Sequence, residues 1–146
     1  MIVSPSELSA RALFAPILVV AAAFLVKGYA ATGGGFAAGV VASLGVLLQY
    51  FALGFEEAER RLAWVGRAYR LAVAGLVLMA ATVLPPVVFG LPPVWHLPRP
   101  EEHVTKLGPL ELHTALAFET GVALAVCGFV VASVHLIARQ SREEVS

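Results

Sequence analysis

The sequence predicts an all-α integral membrane protein: a bundle of four transmembrane helices with a short surface helix between the second and third. Three observations carry this. Of the 146 residues, 59% are hydrophobic and 14% charged, with a mean hydropathy of +0.84, against roughly 25% charged in an average soluble domain. Small folds keep much of their surface exposed, so a chain of this size cannot hide so much apolar surface from water. Four apolar stretches each supply the ~20 residues with which a helix crosses a ~30 Å hydrocarbon layer. Short polar, glycine-rich or proline-rich segments separate them.

The first span runs from about Leu8 to Tyr29. Arg11 ahead of the apolar run Ala12 to Val26, with Ala30 or Ala31 as a cleavage site, has the outline of a secretory signal. Three further apolar segments make it the first of several spans instead. Pro16 lies early enough to bend this helix without abolishing it. The second span runs from about Gly35 to Phe55. After it comes FEEAERRLAWVGRAYR, where Glu56 with Arg60 and Glu57 with Arg61 stand at i,i+4 in the favourable order. Trp64 and Tyr69 suit the interface belt. The stretch reads as a solvated elbow helix on the membrane surface; the alternative is a docking site for another membrane protein of the same complex.

The third span runs from about Tyr69 to Phe89, and Pro85 and Pro86 end or kink it. The following loop, PPVVFGLPPVWHLPRPEEHVTKLGP, holds seven of the nine prolines and reads as extended or turn-like. Its apolar residues, Trp95 among them, place it against protein or membrane surface. The fourth span runs from about Leu112 to Ala138. No internal repeat or low-complexity linker breaks the chain, so residues 1–146 read as a single transmembrane domain.

Ten Lys+Arg balance ten Asp+Glu, which leaves no basic field for nucleic acid. The lone Cys127 excludes an internal disulfide and reads as a small packed side chain. Seven cations, Arg11, Arg60, Arg61, Arg67, Arg70, Arg139 and Arg142, fall on one side of the four spans. Lys27, Arg99 and Lys106 fall on the other. The positive-inside bias therefore places both termini in the cytoplasm of a multi-pass protein.

The segment GYAATGGGFAAG, Gly28 to Gly39, carries five glycines in twelve positions. Gly33, Gly35 and Ala38 match the spacing of a dinucleotide fingerprint, but apolar runs of span length flank them where that motif needs a strand and a βαβ unit. No Lys-Ser or Lys-Thr pair follows for a phosphate loop. A flexible linker would be polar and longer. Gly33, Gly34, Gly35 and Phe36 instead read as a helix-entry turn. Gly35, Gly39 and Ser43, at i, i+4 and i+8, form a small-residue stripe of the kind that lets a neighbouring helix approach in lipid. That stripe is expected to receive another protein. The bare N–H groups at the turn also offer the positive end of the second helix to an oxygen ligand.

Glu119 is the one acid inside an apolar run, HTALAFETGVALAVCGFVV. A charge in hydrocarbon is costly unless paired, so it is a functional candidate by default. Counting back from Arg139 puts it near the outer edge of the bilayer core, where a structural role is the alternative. Lys27, His113 and the glycine triplet belong to the same half, and Glu119 is expected to be held by Lys27 or by the N–H groups of Gly33 to Gly35. Glu119, Lys27 and His113 are thus the ion-path or structural candidates. His96, His103, His113, His135 and Cys127 show no metal-ligand spacing, so neither a metal nor a cofactor is expected, and no catalytic residue stands out.

GYAATGGGFAAGVVAS followed about eighty residues on by HTALAFETGVALAV resembles the B subunit of multi-subunit Mrp-type (Mnh-type) sodium/proton antiporters. It is also similar to the related domain at the C-terminal end of that complex's large A subunit. Gly28, Gly33, Gly34, Gly35, Phe36 and Gly39 match a G-H-x-x-P-G-G-G-F segment entering the second helix. Thr114, Phe118, Glu119, Gly121 and Val122 match the family's S-T-x-L-L-F-D/E-x-G-V in the last helix. Tyr29 stands where the family often has His, and Thr32 where it often has Pro, so a role tied to that His is not carried onto this chain. The resemblance implies a non-catalytic subunit of a bacterial or archaeal inner-membrane complex that exchanges sodium, or another monovalent cation, for protons. The proton-motive force would drive it. The implied partners are the other membrane subunits, the cation and protons passing through the complex, and membrane lipid. With Glu119 and Lys27 alone near its spans, the chain would pack against partner helices, with lining part of the cation path as a second task. The alternatives are a membrane subunit of a hydrogenase-type redox complex that shares the module, and a purely structural scaffold.

Overall fold

A computed structural model of the chain describes residues 4–27, 33–90, 106–107, 110–111 and 114–143. His113, Tyr29, Thr32 and most of the proline-rich loop lie outside the described residues. The protein is all-α. Four helices are long and apolar enough to cross a membrane.

Helix α1 spans Pro5–Lys27. Ser4 opens it: its hydroxyl accepts the Glu7 N–H at 3.3 Å, and Pro5 takes the first helical position, where a missing N–H costs nothing. The helix continues through Pro16. Helix α2 spans Gly34–Leu53 and starts after Gly33, whose φ of 101° favours glycine. Gly54, with φ of 78°, turns the chain directly into the elbow helix α3, Phe55–Arg61. A turn and a 3-10 turn over Val65–Arg67 then lead into α4, Ala68–Val88. Pro85 and Pro86 sit inside its last turn, and the helix stops within three residues of them. In the loop, β1 (Lys106–Leu107) pairs antiparallel with β2 (Leu110–Glu111). Helix α5 spans Thr114–Glu143.

The long helices pack in the order α1–α2–α5–α4. Close contacts fix the directions. Gly45 of α2 meets Ile17 and Phe14 of α1, whereas the Gln49 amide donates to the Ala10 carbonyl at 2.7 Å, so α1 and α2 are antiparallel. Gly35 meets Glu119 and Gly39 meets Ala123, so α2 and α5 run parallel. Gly75 meets Gly121 and Ala125 while Gly128 meets Ala68 and Ala72, so α4 and α5 are antiparallel. In lipid no hydrophobic force drives helices together, and small residues let backbones approach to gain dispersion instead.

The Gly35–Gly39–Ser43 stripe is therefore filled from within the chain. A methyl group on Gly39 would lie 2.7 Å from the Ala123 carbonyl oxygen and 2.9 Å from the Val126 Cβ. The expectation that this stripe receives another protein is corrected: α5 occupies it. The buried apolar cluster sits at the elbow end, where Val46, Leu62, Val65, Ala68 and Val131 meet beneath Phe14 and Tyr50. The outer faces of α1 and α4 stay exposed and apolar, as helices facing lipid or other membrane proteins should be.

Candidate functional site

The first turn of α2 leaves its opening N–H groups without intrahelical partners. The glycine turn brings no side chain to satisfy them: no side-chain cap from its own segment bonds Gly33. Helix α5 supplies the missing acceptor. Glu119, in the second turn of α5, accepts the Gly33 N–H on Oε1 at 3.2 Å and the Gly35 N–H on Oε2 at 2.5 Å. A negative group thus meets the positive end of the α2 dipole.

Gly35 makes the contact possible. A methyl group there would fall onto the Glu119 main-chain carbonyl and lie 2.5 Å from its Oε2. Gly33 contributes differently: a methyl group would meet nothing within 4 Å, but the backbone is left-handed. One glycine provides space and the other a conformation. Phe36 next to them is 59% exposed. Lys27 ends α1 exposed and has no ion pair among the described residues, so the holding groups are the amides. His113 lies outside the described residues.

Beside this joint an open apolar groove of about 240 Å³ lies between α1 and α5, floored by Ala38, Gly39 and Ala42 and edged by Leu18, Thr120 and Ala123. Thr120 turns its hydroxyl onto the Leu116 carbonyl of its own helix at 2.7 Å, which leaves the groove with little polarity.

A second polar cluster occupies the other end, 16 residues further along α5, about 24 Å at 1.5 Å per residue. His135 Nδ1 lies 3.1 Å from Glu59 Oε1 and 3.3 Å from the Tyr50 hydroxyl. The Phe55 ring stacks on the imidazole with centroids 5.7 Å apart. Helices α2, α3 and α5 are tied together there. Glu57 of the elbow meets Arg11 of α1 at 3.5 Å and Arg61 at 3.4 Å, the latter being one of the two expected i,i+4 pairs. Sequence reasoning places His135 only near the inner face, because its partners lie more than seventy residues away. It also misses the α4–α5 seam, though Ala68, Ala72 and Gly75 facing Gly121, Ala125 and Gly128 at matched i, i+4, i+7 spacings would have signalled it. Among the described residues no group of His, Cys, Asp and Glu is arranged to hold a metal ion.

Comparison with known proteins bears on all four spans. A family model described as a domain related to the MnhB subunit of Na+/H+ antiporter matches residues 5–132. A protein of Rhizobium meliloti (strain 1021), named as the A/B subunit of a probable K(+)/H(+) antiporter, is 33% identical over 129 residues. That match covers 86% of this chain and 12% of the relative, so the chain corresponds to a small part of a much longer protein.

Proposed function

Because the chain belongs to the family of domains related to the MnhB subunit of Na+/H+ antiporters, we propose that it is a non-catalytic membrane subunit of a multi-subunit cation/proton antiporter. Sodium is the cation and the proton-motive force the drive. The observation that carries the reading is that the matched region, residues 5–132, contains both the glycine turn and Glu119.

The subunit's part follows from its chemistry. A carboxylate already engaged by two backbone donors is a joint, and one acid with one lysine is too little to conduct ions through a bilayer. Glu119 locks α5 onto the entry of α2. The resulting slab of helices, residues 1–146 as one domain, presents the outer faces of α1 and α4 to partner subunits and lipid. Any share in the cation path belongs to the end of the bundle that carries Glu119 and Lys27. The opposite end, with Arg11, Arg60, Arg61, Arg67, Arg70, Arg139 and Arg142, faces the cytoplasm of a bacterial or archaeal cell, as the positive-inside bias requires.

The test uses inside-out membrane vesicles from cells carrying the complete complex. Sodium added to an energised vesicle should release the proton gradient when the chain is present and not when its gene is deleted, and a tagged chain in mild detergent should bring other membrane subunits with it. Purification of the chain without companions, or exchange that survives the deletion, contradicts the reading.

A further inference from the structure

The 3-10 turn and the start of α4 set three exposed side chains at three-residue intervals, Trp64, Arg67 and Arg70. Residues so spaced share one side of the helix. The same side continues downward through Val73 and Val77, which are 55% and 62% exposed, and then Leu84 and Val88. From Arg70 to Ala80 the face covers about 15 Å, half of a ~30 Å hydrocarbon layer and so the depth of one leaflet.

Glu57 is shared by Arg11 and Arg61, and Glu59 lies on His135. Among the described residues neither Arg67 nor Arg70 has a carboxylate partner. Arg70 is nevertheless held in place: its Nε donates to the Tyr69 hydroxyl at 3.2 Å and its guanidinium lies 5.8 Å from the centre of that ring. Among the described residues its remaining N–H groups have no acceptor, so they suit one from outside the chain. Guanidinium groups match phosphate oxygens in pairs of parallel hydrogen bonds.

From this arrangement we propose that the head of α4 is a binding site for an anionic phospholipid, with the headgroup phosphate between Arg67 and Arg70, Trp64 on the headgroup side of it, and the acyl chains along Val73 and Val77. The apolar face continuous with the two charges favours a lipid over an acidic protein or a free anion. A soluble anion would use the arginines and leave the face below them uncovered. The site does not rest on the antiporter reading, since it needs only the membrane.

The experiment is native mass spectrometry of the purified full chain in micelles holding equal amounts of phosphatidylglycerol and phosphatidylcholine. Retained phosphatidylglycerol should exceed phosphatidylcholine on the order of tenfold for two juxtamembrane cations. The preference should shrink at high salt, vanish in the Arg67→Gln/Arg70→Gln double variant and persist in Arg67→Lys/Arg70→Lys. Should the double variant fail to fold, Arg67→Gln alone, which leaves the tyrosine-held Arg70, should show an intermediate preference. Equal retention of the two lipids by the native chain, or an unchanged preference in the folded Gln variants, overturns the site. Displacement of the lipid by millimolar inorganic phosphate would assign the arginines to a free anion. Displacement by polyglutamate would assign them to an acidic protein. Either result also overturns it.

Discussion

Glu119 and Gly35 stand 84 residues apart, yet the carboxylate of the first accepts the backbone N–H of the second, and no side chain on the second would fit between them. An acid of one helix therefore caps the start of another. That cap, and the small-residue seam running down from it, fixes the parallel pair α2–α5 on which α1 and α4 are hung. In lipid an uncapped helix entry has little water to fall back on, so the cap matters more than it would at a soluble surface.

The two glycines of the cap should respond differently to the same substitution. Gly33→Ala adds a methyl into open space but forces a left-handed backbone, which costs roughly 1–2 kcal/mol. Gly35→Ala keeps an ordinary backbone and drives the methyl into Glu119, so α5 must move. Overpacking of this kind costs about 1–3 kcal/mol, occasionally more. Unfolding of the purified chain in mixed micelles should rank the native protein above Gly33→Ala and Gly33→Ala above Gly35→Ala. A Gly35→Ala variant as stable as the native chain contradicts the close approach.

Removing the acceptor should cost more than modifying it. Glu119→Leu leaves two N–H groups at the α2 entry without partners, at about 1–3 kcal/mol for the buried Gly35 donor and less for the exposed Gly33 donor. Glu119→Gln keeps one carbonyl oxygen and loses the other, so it should fall between Leu and the native residue. Amide exchange over residues 33–37 reads this directly: protection should fall in the order native, Gln, Leu.

How much of this was legible in the sequence follows from which contacts are local. The four spans were readable because hydrocarbon thickness sets helix length and the apolar runs meet it. The glycine turn could be recognised as a helix entry, and Glu119 as an acid needing a partner, from the cost of bare donors and bare charge in lipid. The sequence also offered the amides as one of two holders for Glu119. What it could not say was that the Gly35–Gly39–Ser43 stripe meets α5 of the same chain, since a small-residue face signals close approach without naming the neighbour. Nor could it assemble Tyr50, Glu59 and His135, which share a site only because the end of α2, the elbow helix α3 and the later part of α5 meet at one level.

The antiparallel seam between α4 and α5 should be at least as sensitive as the first. A side chain on Gly121 would lie 2.8 Å from Met79 Cγ, and one on Gly128 would lie 2.9 Å from the Ala68 carbonyl oxygen. Gly128→Leu should therefore push the helices apart, whereas Gly90→Ala, with nothing within 4 Å, should cost only its backbone strain. Unfolding in mixed micelles should leave Gly90→Ala close to the native chain and Gly128→Leu far below it, and a Gly128→Leu variant as stable as Gly90→Ala would contradict the seam.

At the elbow, His135→Ala removes a ring stacked on Phe55 and both side-chain contacts to Tyr50 and Glu59. A loss of about 1–2 kcal/mol is expected, localised to α3, because an aromatic pair and a net hydrogen bond are each worth about 1 kcal/mol. Proteolysis or amide exchange over residues 55–61 should accelerate while residues 33–37 stay protected. Uniform loosening of both ends would mean that the two polar clusters are not independent.

If the chain is the proposed antiporter subunit, the Glu119 joint gives it the shape its complex needs. Sodium-driven proton exchange in inside-out vesicles, read beside the amount of assembled complex, tests it most directly in the Glu119→Leu variant. Assembled complex and exchange should fall together. Native amounts of complex with native exchange in that variant would contradict it.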